Sequence, residues 1–405
     1  MTRRHGYVLL AALAAVVTFV SVGIYAMVRP PATTVSSGTP SRVSSGVPAS
    51  GTWTGTWSAS PVGPEPGTPN GLPGTTVRNV VHTSIGGSLA RITLSNLFGT
   101  RPLKITESTV AADNIVRAVT FDGHTFVTIP AGGQIVSDAV RIRVPADADM
   151  TVSVFSPSPS GPVTYHPHAR QISYLSGGGR TVETPYWRYL TAVDVLTHEA
   201  RGSVVVFGDS ITDGITSTTG ADHRWTDVLA QRLGSHYGVL NEGISGNRVL
   251  LDGQGQSGLR RFDRDALARS GARTVVIDLG VNDILRRPNQ LDARQITDGL
   301  RRLAQEARAR GLHVVGSTLM PFTGHRGASP QLEAVRQQVN ATIRSGGVYD
   351  AVVDFDRALR DPYAPTRLLP AYDSGDHLHP NDAGYRKMAM TLDLDALSES
   401  VPARA

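Results

Sequence analysis

Hydrophobic and polar positions follow one rule in the first half of this chain and another in the second. Over residues 53–175 they alternate with period two. Ile92-Thr93-Leu94, Val127-Thr128-Ile129, Val140-Arg141-Ile142-Arg143-Val144 and Val152-Ser153-Val154-Phe155 each put apolar side chains on one face and polar ones on the other. Turn clusters such as Ile85-Gly86-Gly87-Ser88, Asp122-Gly123-His124 and Ala131-Gly132-Gly133 separate the runs. Short strands at this spacing, with no helical period among them, predict an antiparallel β-sandwich or jelly roll.

From residue 203 onward the pattern becomes strand–helix alternation. Near-continuous apolar runs at 204–207, 239–241, 274–279, 313–319 and 351–355 read as strands buried on both faces. Between them Trp225, Val228, Leu229 and Leu233 share one helical face, with Gly234 as a stop. Ile296, Leu300, Leu303 and Ala307 form a second face, ended by Gly311. Leu332, Val335, Val339 and Ile343 form a third, ended by Gly346-Gly347. Five such strands joined by helices predict an α/β fold, a three-layer α/β/α sandwich around a five-stranded parallel sheet. The expected boundaries are residues 52–196 for the β-sandwich domain and 197–405 for the α/β domain.

Two segments precede these domains. Thr2-Arg3-Arg4-His5 followed by an uncharged apolar stretch over residues 8–28 has the order of an export signal. The stretch exceeds the roughly 7–15 residues of a signal-peptide core and approaches the roughly 20 that span a bilayer. Residues 1–28 are therefore expected to be a signal or an uncleaved membrane anchor, with the rest secreted or held at the cell surface. Membrane contact is expected only there. Residues 29–51, rich in Pro, Ser, Thr and Gly, read as an extended linker.

Composition removes several function classes. The chain of 405 residues has no cysteine, so thiol nucleophiles, disulfides and cysteine metal sites are excluded. Its net charge of +5 rests on arginine, because only Lys104 and Lys387 are lysines. The arginines are scattered and not interleaved with stacking aromatics, so no nucleic-acid partner is expected.

Chemistry gathers at the C-terminal ends of the predicted parallel strands, where open α/β sheets bind ligands. Gly208-Asp209-Ser210-Ile211-Thr212 follows the first strand, and Asn241-Glu242-Gly243-Ile244-Ser245-Gly246-Asn247-Arg248 the second. Gly280-Val281-Asn282-Asp283 follows the third, and Asp376-His377-Leu378-His379-Pro380 comes after the fifth. Together they supply what acyl transfer needs. Ser210 can attack a carbonyl carbon once a base takes its proton. A neutral histidine can accept that proton and return it to the leaving alcohol, with a carboxylate three residues earlier holding its tautomer. The backbone N–H groups of Gly246 and Ser210 and the Asn282 amide are candidate oxyanion donors.

These four blocks, in this order, resemble the SGNH (GDSL) hydrolase superfamily over roughly residues 200–400. The resemblance implies a metal-free α/β/α esterase that needs no cofactor. It implies Ser210 as nucleophile, Gly246 and Asn282 as oxyanion donors, His379 as base and Asp376 as the residue orienting it. Residues 53–175 also resemble the β-rich domain that precedes the hydrolase domain in some secreted bacterial members, carbohydrate esterases among them.

Other readings stand beside this one. His377 and His379 near Asp376 also form a His-x-His pattern of the kind metals use, and Asp373 is an alternative partner to Asp376. Asn282 is also a turn former, with Asp283 capping the next helix. Asp209 and Asp213 are expected to hydrogen-bond the loop backbone. Arg248 is expected to pair with a carboxylate such as Asp213, and the histidines of Tyr165-His166-Pro167-His168 to be exposed loop residues. Only 36 positions separate Ser210 from Gly246, so no lid domain intervenes there. The expected function is an exported serine esterase acting through an acyl-serine on short-chain esters, of a small molecule or an acetylated polysaccharide. The alternatives are a lipase or phospholipase, or a surface glycan-binding protein without catalysis.

Overall fold

Residues 204–207 carry four apolar side chains in a row, and in the computed structural model all four are fully buried. Successive strand side chains point to opposite faces, so both faces of this strand are covered. It spans Gly202–Gly208 and lies inside a parallel sheet with Tyr237–Gly243, Ala272–Asp278, His313–Ser317 and Ala351–Val353. Their spatial order is second, first, third, fourth, fifth. The chain therefore leaves the first strand towards one side of the sheet and later crosses to the other. The crevice at that reversal lies beyond the C-terminal ends of the first three strands.

The expected helices form with local signals at both ends. Trp225–Leu233 stops at Gly234, which sits at φ 57°. Asp292 caps Ala293–Ala309 by accepting from the Arg294 N–H, and Gly311 follows at φ 74°. Ser329 caps Pro330–Arg344, with Pro330 in the first turn where its missing N–H costs nothing. Asn381 caps the last long helix, Asp382–Thr391, which packs on Trp225–Leu233.

The structure describes residues 51–398. The export segment and nearly all of the linker read above, residues 1–50, lie outside the described residues. No helix among the described residues is long and apolar enough to cross a membrane.

Residues 52–197 are strand-rich and antiparallel. A four-stranded sheet runs in the order Thr52–Ser58, Leu190–Thr197, Leu89–Ser95, Gln134–Val136. The central strands of a six-stranded sheet are Thr75–Thr83 and Ala148–Ser156, paired over nine residues. Their alternating inward side chains, among them Val77, Val81, Val152 and Val154, join Ile92, Leu94, Val193 and Val195 in one buried apolar cluster. The run at 140–144 departs from expectation. It buries Val140, Ile142 and Val144 and exposes Arg141 and Arg143, as period two requires. Yet it meets its neighbour only through isolated bridges at Val140 and Val144, so the alternation satisfies burial without building a strand.

This apolar cluster and that of the α/β region are separate, and a polar seam connects them. Gly55 N–H donates to the Ser270 carbonyl at 2.9 Å, and Gly238 has no room for a side chain because the Gly55 carbonyl lies 2.0 Å from where its Cβ would sit. Ser60 Oγ donates to Glu242 at 2.6 Å, and the buried Arg261 donates to Ser60 Oγ and to the Glu242 carbonyl, each at 2.9 Å. Arg261 also reaches the Gly208 carbonyl at 2.9 Å and lies 3.9 Å over the Phe207 ring. The seam thus ties the strand-rich region to the end of the strand that carries Ser210.

Candidate active site

Gly208 ends the first parallel strand because nothing larger fits. A Cβ there would come within 2.3 Å of Thr212 Oγ1 and 2.7 Å of the Asp278 carbonyl. Asp209 follows as an N-cap, its carboxylate accepting from the Ile211 N–H at 3.1 Å, and Ser210 opens the short helix Ser210–Asp213. Gly214, at φ 89°, turns the chain away. This strand–turn–helix presents the Ser210 hydroxyl at the sheet edge while the residue itself stays buried, 6% exposed.

The hydroxyl meets an imidazole. Ser210 Oγ lies 2.8 Å from His379 Nε2, and His379 Nδ1 lies 2.6 Å from Asp376 Oδ2. A carboxylate accepts, so Nδ1 carries the hydrogen and Nε2 presents a lone pair to the serine hydroxyl. Asp376 is itself held by the N–H groups of Leu378 and His379 at 2.9 and 2.8 Å. Partial burial pushes its carboxyl up, but the hydrogen bonds from the His379 ring and backbone outweigh burial and hold it well below the usual carboxylate range. Asp376 therefore stays ionised at any pH where an imidazole is neutral. The second histidine goes elsewhere: His377, half exposed, pairs with Asp373 at 2.6 Å. Each aspartate thus has its own histidine, and only the Asp376–His379 pair reaches Ser210.

The blocks after the second and third strands converge on the same point. Gly246 stands at φ +78°, and the Arg286 guanidinium occupies the space a Cβ would need, with Nη2 at 2.4 Å. The Asn282 amide is fixed from both sides: Nδ2 donates to Asp209 Oδ2 at 3.2 Å, and Oδ1 accepts from Arg286 Nε at 3.3 Å. Burial, then the neighbouring charge of Asp278, push the Asp209 carboxyl well above its ordinary range. Asp283 does not cap a helix. Its carboxylate accepts the Val249 and Leu250 N–H groups at 2.7 and 3.0 Å and so locks the glycine-bearing loop to the short helix that follows the third strand. Burial pushes Asp283 up to about 6, against the pull of those two N–H groups.

Two expectations are corrected. His166 is not an exposed loop residue: it lies on the strand Thr164–His166, 4% exposed, while His168 is exposed as expected. Its Nδ1 donates to the Ser60 carbonyl at 2.8 Å and its Nε2 meets Asp213 Oδ1 at 3.0 Å. The other Asp213 oxygen accepts from the Ser245 N–H at 3.1 Å and from the Ser245 hydroxyl. Arg248 does not pair with Asp213, whose two oxygens are engaged by His166 and Ser245; it donates instead to the Asp252 carbonyl at 2.8 Å. The alternation Val163-Thr164-Tyr165-His166 signals a strand but would turn His166 outward; it is buried because a polar partner covers that face from across the seam, and that partner has no trace in local sequence.

In front of Ser210 opens a cleft of about 340 Å³, walled by Ile215, Leu285 and Leu378 and edged by Arg286, His325 and Arg326. That lies at the lower end of the roughly 300–1,000 Å³ of small-molecule sites. A nucleophile, a base with its orienting carboxylate, and candidate donors on two further loops face one space. This constellation can perform acyl transfer.

Residues 206–387 match the model of the GDSL-like lipase/acylhydrolase family. No curated protein matches the chain. Solved structures similar to it include a carbohydrate acetylesterase from Sinorhizobium meliloti (18% identity, 48% of this chain and 99% of that one, TM-score 0.39). An aryl esterase from M. smegmatis is 20% identical over 49% of this chain and 100% of that one, with a TM-score of 0.40. A GDSL-like lipase from Bacteroides thetaiotaomicron is 21% identical over 49% of this chain and 87% of that one, with a TM-score of 0.37.

Proposed function

We propose that the protein is a serine hydrolase acting on esters, a short-chain carboxylic-ester esterase working through an acyl-serine, in keeping with the match of residues 206–387 to the GDSL-like lipase/acylhydrolase family. The observation that carries this is the continuous relay from Ser210 Oγ to His379 at 2.8 Å and on to Asp376 at 2.6 Å, opening on a small cleft. Ser210 Oγ attacks the ester carbonyl as its proton passes to His379 Nε2. The carbonyl oxygen becomes an oxyanion, received by the N–H groups of Ser210 and Gly246 and by the second Asn282 Nδ2 hydrogen. His379 then protonates the departing alcohol, leaving an acyl group on Ser210. Water, giving its proton to His379, attacks that ester; the acid leaves and Ser210 recovers its proton. A signal or membrane anchor in residues 1–28, as read from the sequence, would carry this activity outside the cytoplasm, where acetylated glycans are the substrates we favour.

The test is turnover of para-nitrophenyl esters from acetate to palmitate by the full chain. Because the cleft is small, kcat/KM is expected to fall by about tenfold or more between the short and the long acyl chains, the effect of a few unaccommodated methylenes. A long-chain optimum would turn the assignment to lipid esters. Absence of turnover on every ester, from folded protein, would contradict the esterase reading.

A further inference from the structure

The cleft beside Ser210 holds more positive charge than a neutral ester requires. None of its lining residues is an aspartate or glutamate, while Arg286, Arg326 and His325 all face it. Arg286 caps the short helix Val281–Leu285, and its guanidinium lies across Gly246, next to the candidate oxyanion donors. The side chain's one protein acceptor is Asn282 Oδ1, bonded through Nε, so both terminal nitrogens lack a protein partner among the described residues. Arg326 is exposed and makes no hydrogen bond or ion pair with any described residue. Its position is nonetheless set: the adjacent His325 donates from Nδ1 to the Asp376 carbonyl at 3.0 Å, which pins this segment to the catalytic loop.

Three other guanidiniums packed around the same sheet are neutralised. Arg336 is held by Glu333 and Asp356, Arg344 by Asp354 and Asp356, and Arg224 by Asp227. Two uncompensated guanidiniums in a concave site attract anions, and their planar forks match carboxylate, phosphate and sulfate oxygens.

We propose that the ester this protein hydrolyses carries an anionic group, which Arg286 and Arg326 receive at the rim of the cleft. The inference rests on the esterase reading above and adds the charge of the substrate. An anion on the alcohol or on the acyl part has the same chemistry, and paired substrates separate them. On the alcohol side, para-acetoxybenzoate is compared with its neutral methyl ester. On the acyl side, mono-para-nitrophenyl adipate is compared with para-nitrophenyl hexanoate.

For the full chain, kcat/KM for the anionic member is expected to exceed that of its neutral counterpart by about tenfold in at least one pair, the size of one charge-assisted contact. The ratio should shrink as sodium chloride screens the exposed guanidiniums. Arg326→Gln, which breaks no observed contact and is expected to fold, should bring the ratio towards one. Arg286→Gln should lower the same ratio and also slow the neutral ester, through its contact with Asn282. A wild-type ratio of one or less in both pairs, or a ratio unmoved in both variants, would overturn the proposal. In either case turnover of the neutral esters would leave the esterase reading standing, whereas no turnover of any ester by folded protein would remove the reading beneath it.

Discussion

Replacing His379 with alanine is expected to lower kcat by about 10⁴- to 10⁶-fold, the range that spans deletion of the orienting carboxylate and of the base in a serine relay. The expectation follows from the geometry. His379 Nε2 is 2.8 Å from the serine oxygen, and the other imidazole lining the cleft, His325, is tied to the Asp376 carbonyl. The fold should survive. Asp376 keeps the N–H groups of Leu378 and residue 379, and the His379 side chain is 13% exposed, so its loss opens no sealed cavity. Steady-state kinetics should therefore show kcat collapsing with little change in KM, and thermal unfolding close to wild type. Adding Ser210→Ala to this variant should cost almost nothing more, because the two groups act as one unit. An independent further loss in the double variant would mean that Ser210 and His379 do not share a proton.

Asn282→Ala is expected to lower kcat by about 10²- to 10³-fold with KM nearly unchanged, the cost of removing one oxyanion donor. The competing role, a turn former, predicts a loss of stability with normal kcat. The structure separates the two. Asn282 sits inside the helix Val281–Leu285, not in a turn, and its amide is clamped between Asp209 and Arg286. One Nδ2 hydrogen is used by Asp209, and the other is free for a developing negative charge. Deleting the amide leaves Asp209 without one bond. Burial already favours the neutral carboxyl at that position, so the stability cost is that of a lost hydrogen bond, about 1 kcal/mol. Asn282→Asp keeps the shape but replaces the donor with an acceptor, and should be no better than alanine. Pre-steady-state kinetics would place the defect in acylation.

How much of this was legible from sequence differs by residue, for physical reasons. Ser210, Gly246 and Asn282 each follow a buried apolar run closely, and parallel strands put their C-terminal ends on one edge whatever the details of packing. Asp376 and His379 lie on one short loop, so their mutual contact is local. Choosing between His377 and His379 was also a local problem, settled by a backbone in which His377 takes φ 64° and turns to Asp373. The helices were visible because their periodicity and terminating glycines are local signals. The seam was not. That His166 lies 3.0 Å from Asp213, or that Ser60 meets Glu242 and Arg261, depends on how the strand-rich region approaches the sheet. Neither residue carries a pattern that points across the 47 to 201 positions that separate these partners, or across a domain boundary. Arg248 failed for the same reason: its expected partner had already been taken by residues distant in the chain.

The most direct test of the central claim is covalent labelling of the full chain with a fluorophosphonate, read by peptide mass spectrometry alongside Ser210→Ala. One adduct per chain is expected, on Ser210, with loss of turnover in step with labelling and an unlabelled, inactive but normally folded Ser210→Ala protein. An adduct on another residue, or wild-type turnover by Ser210→Ala, would contradict that claim.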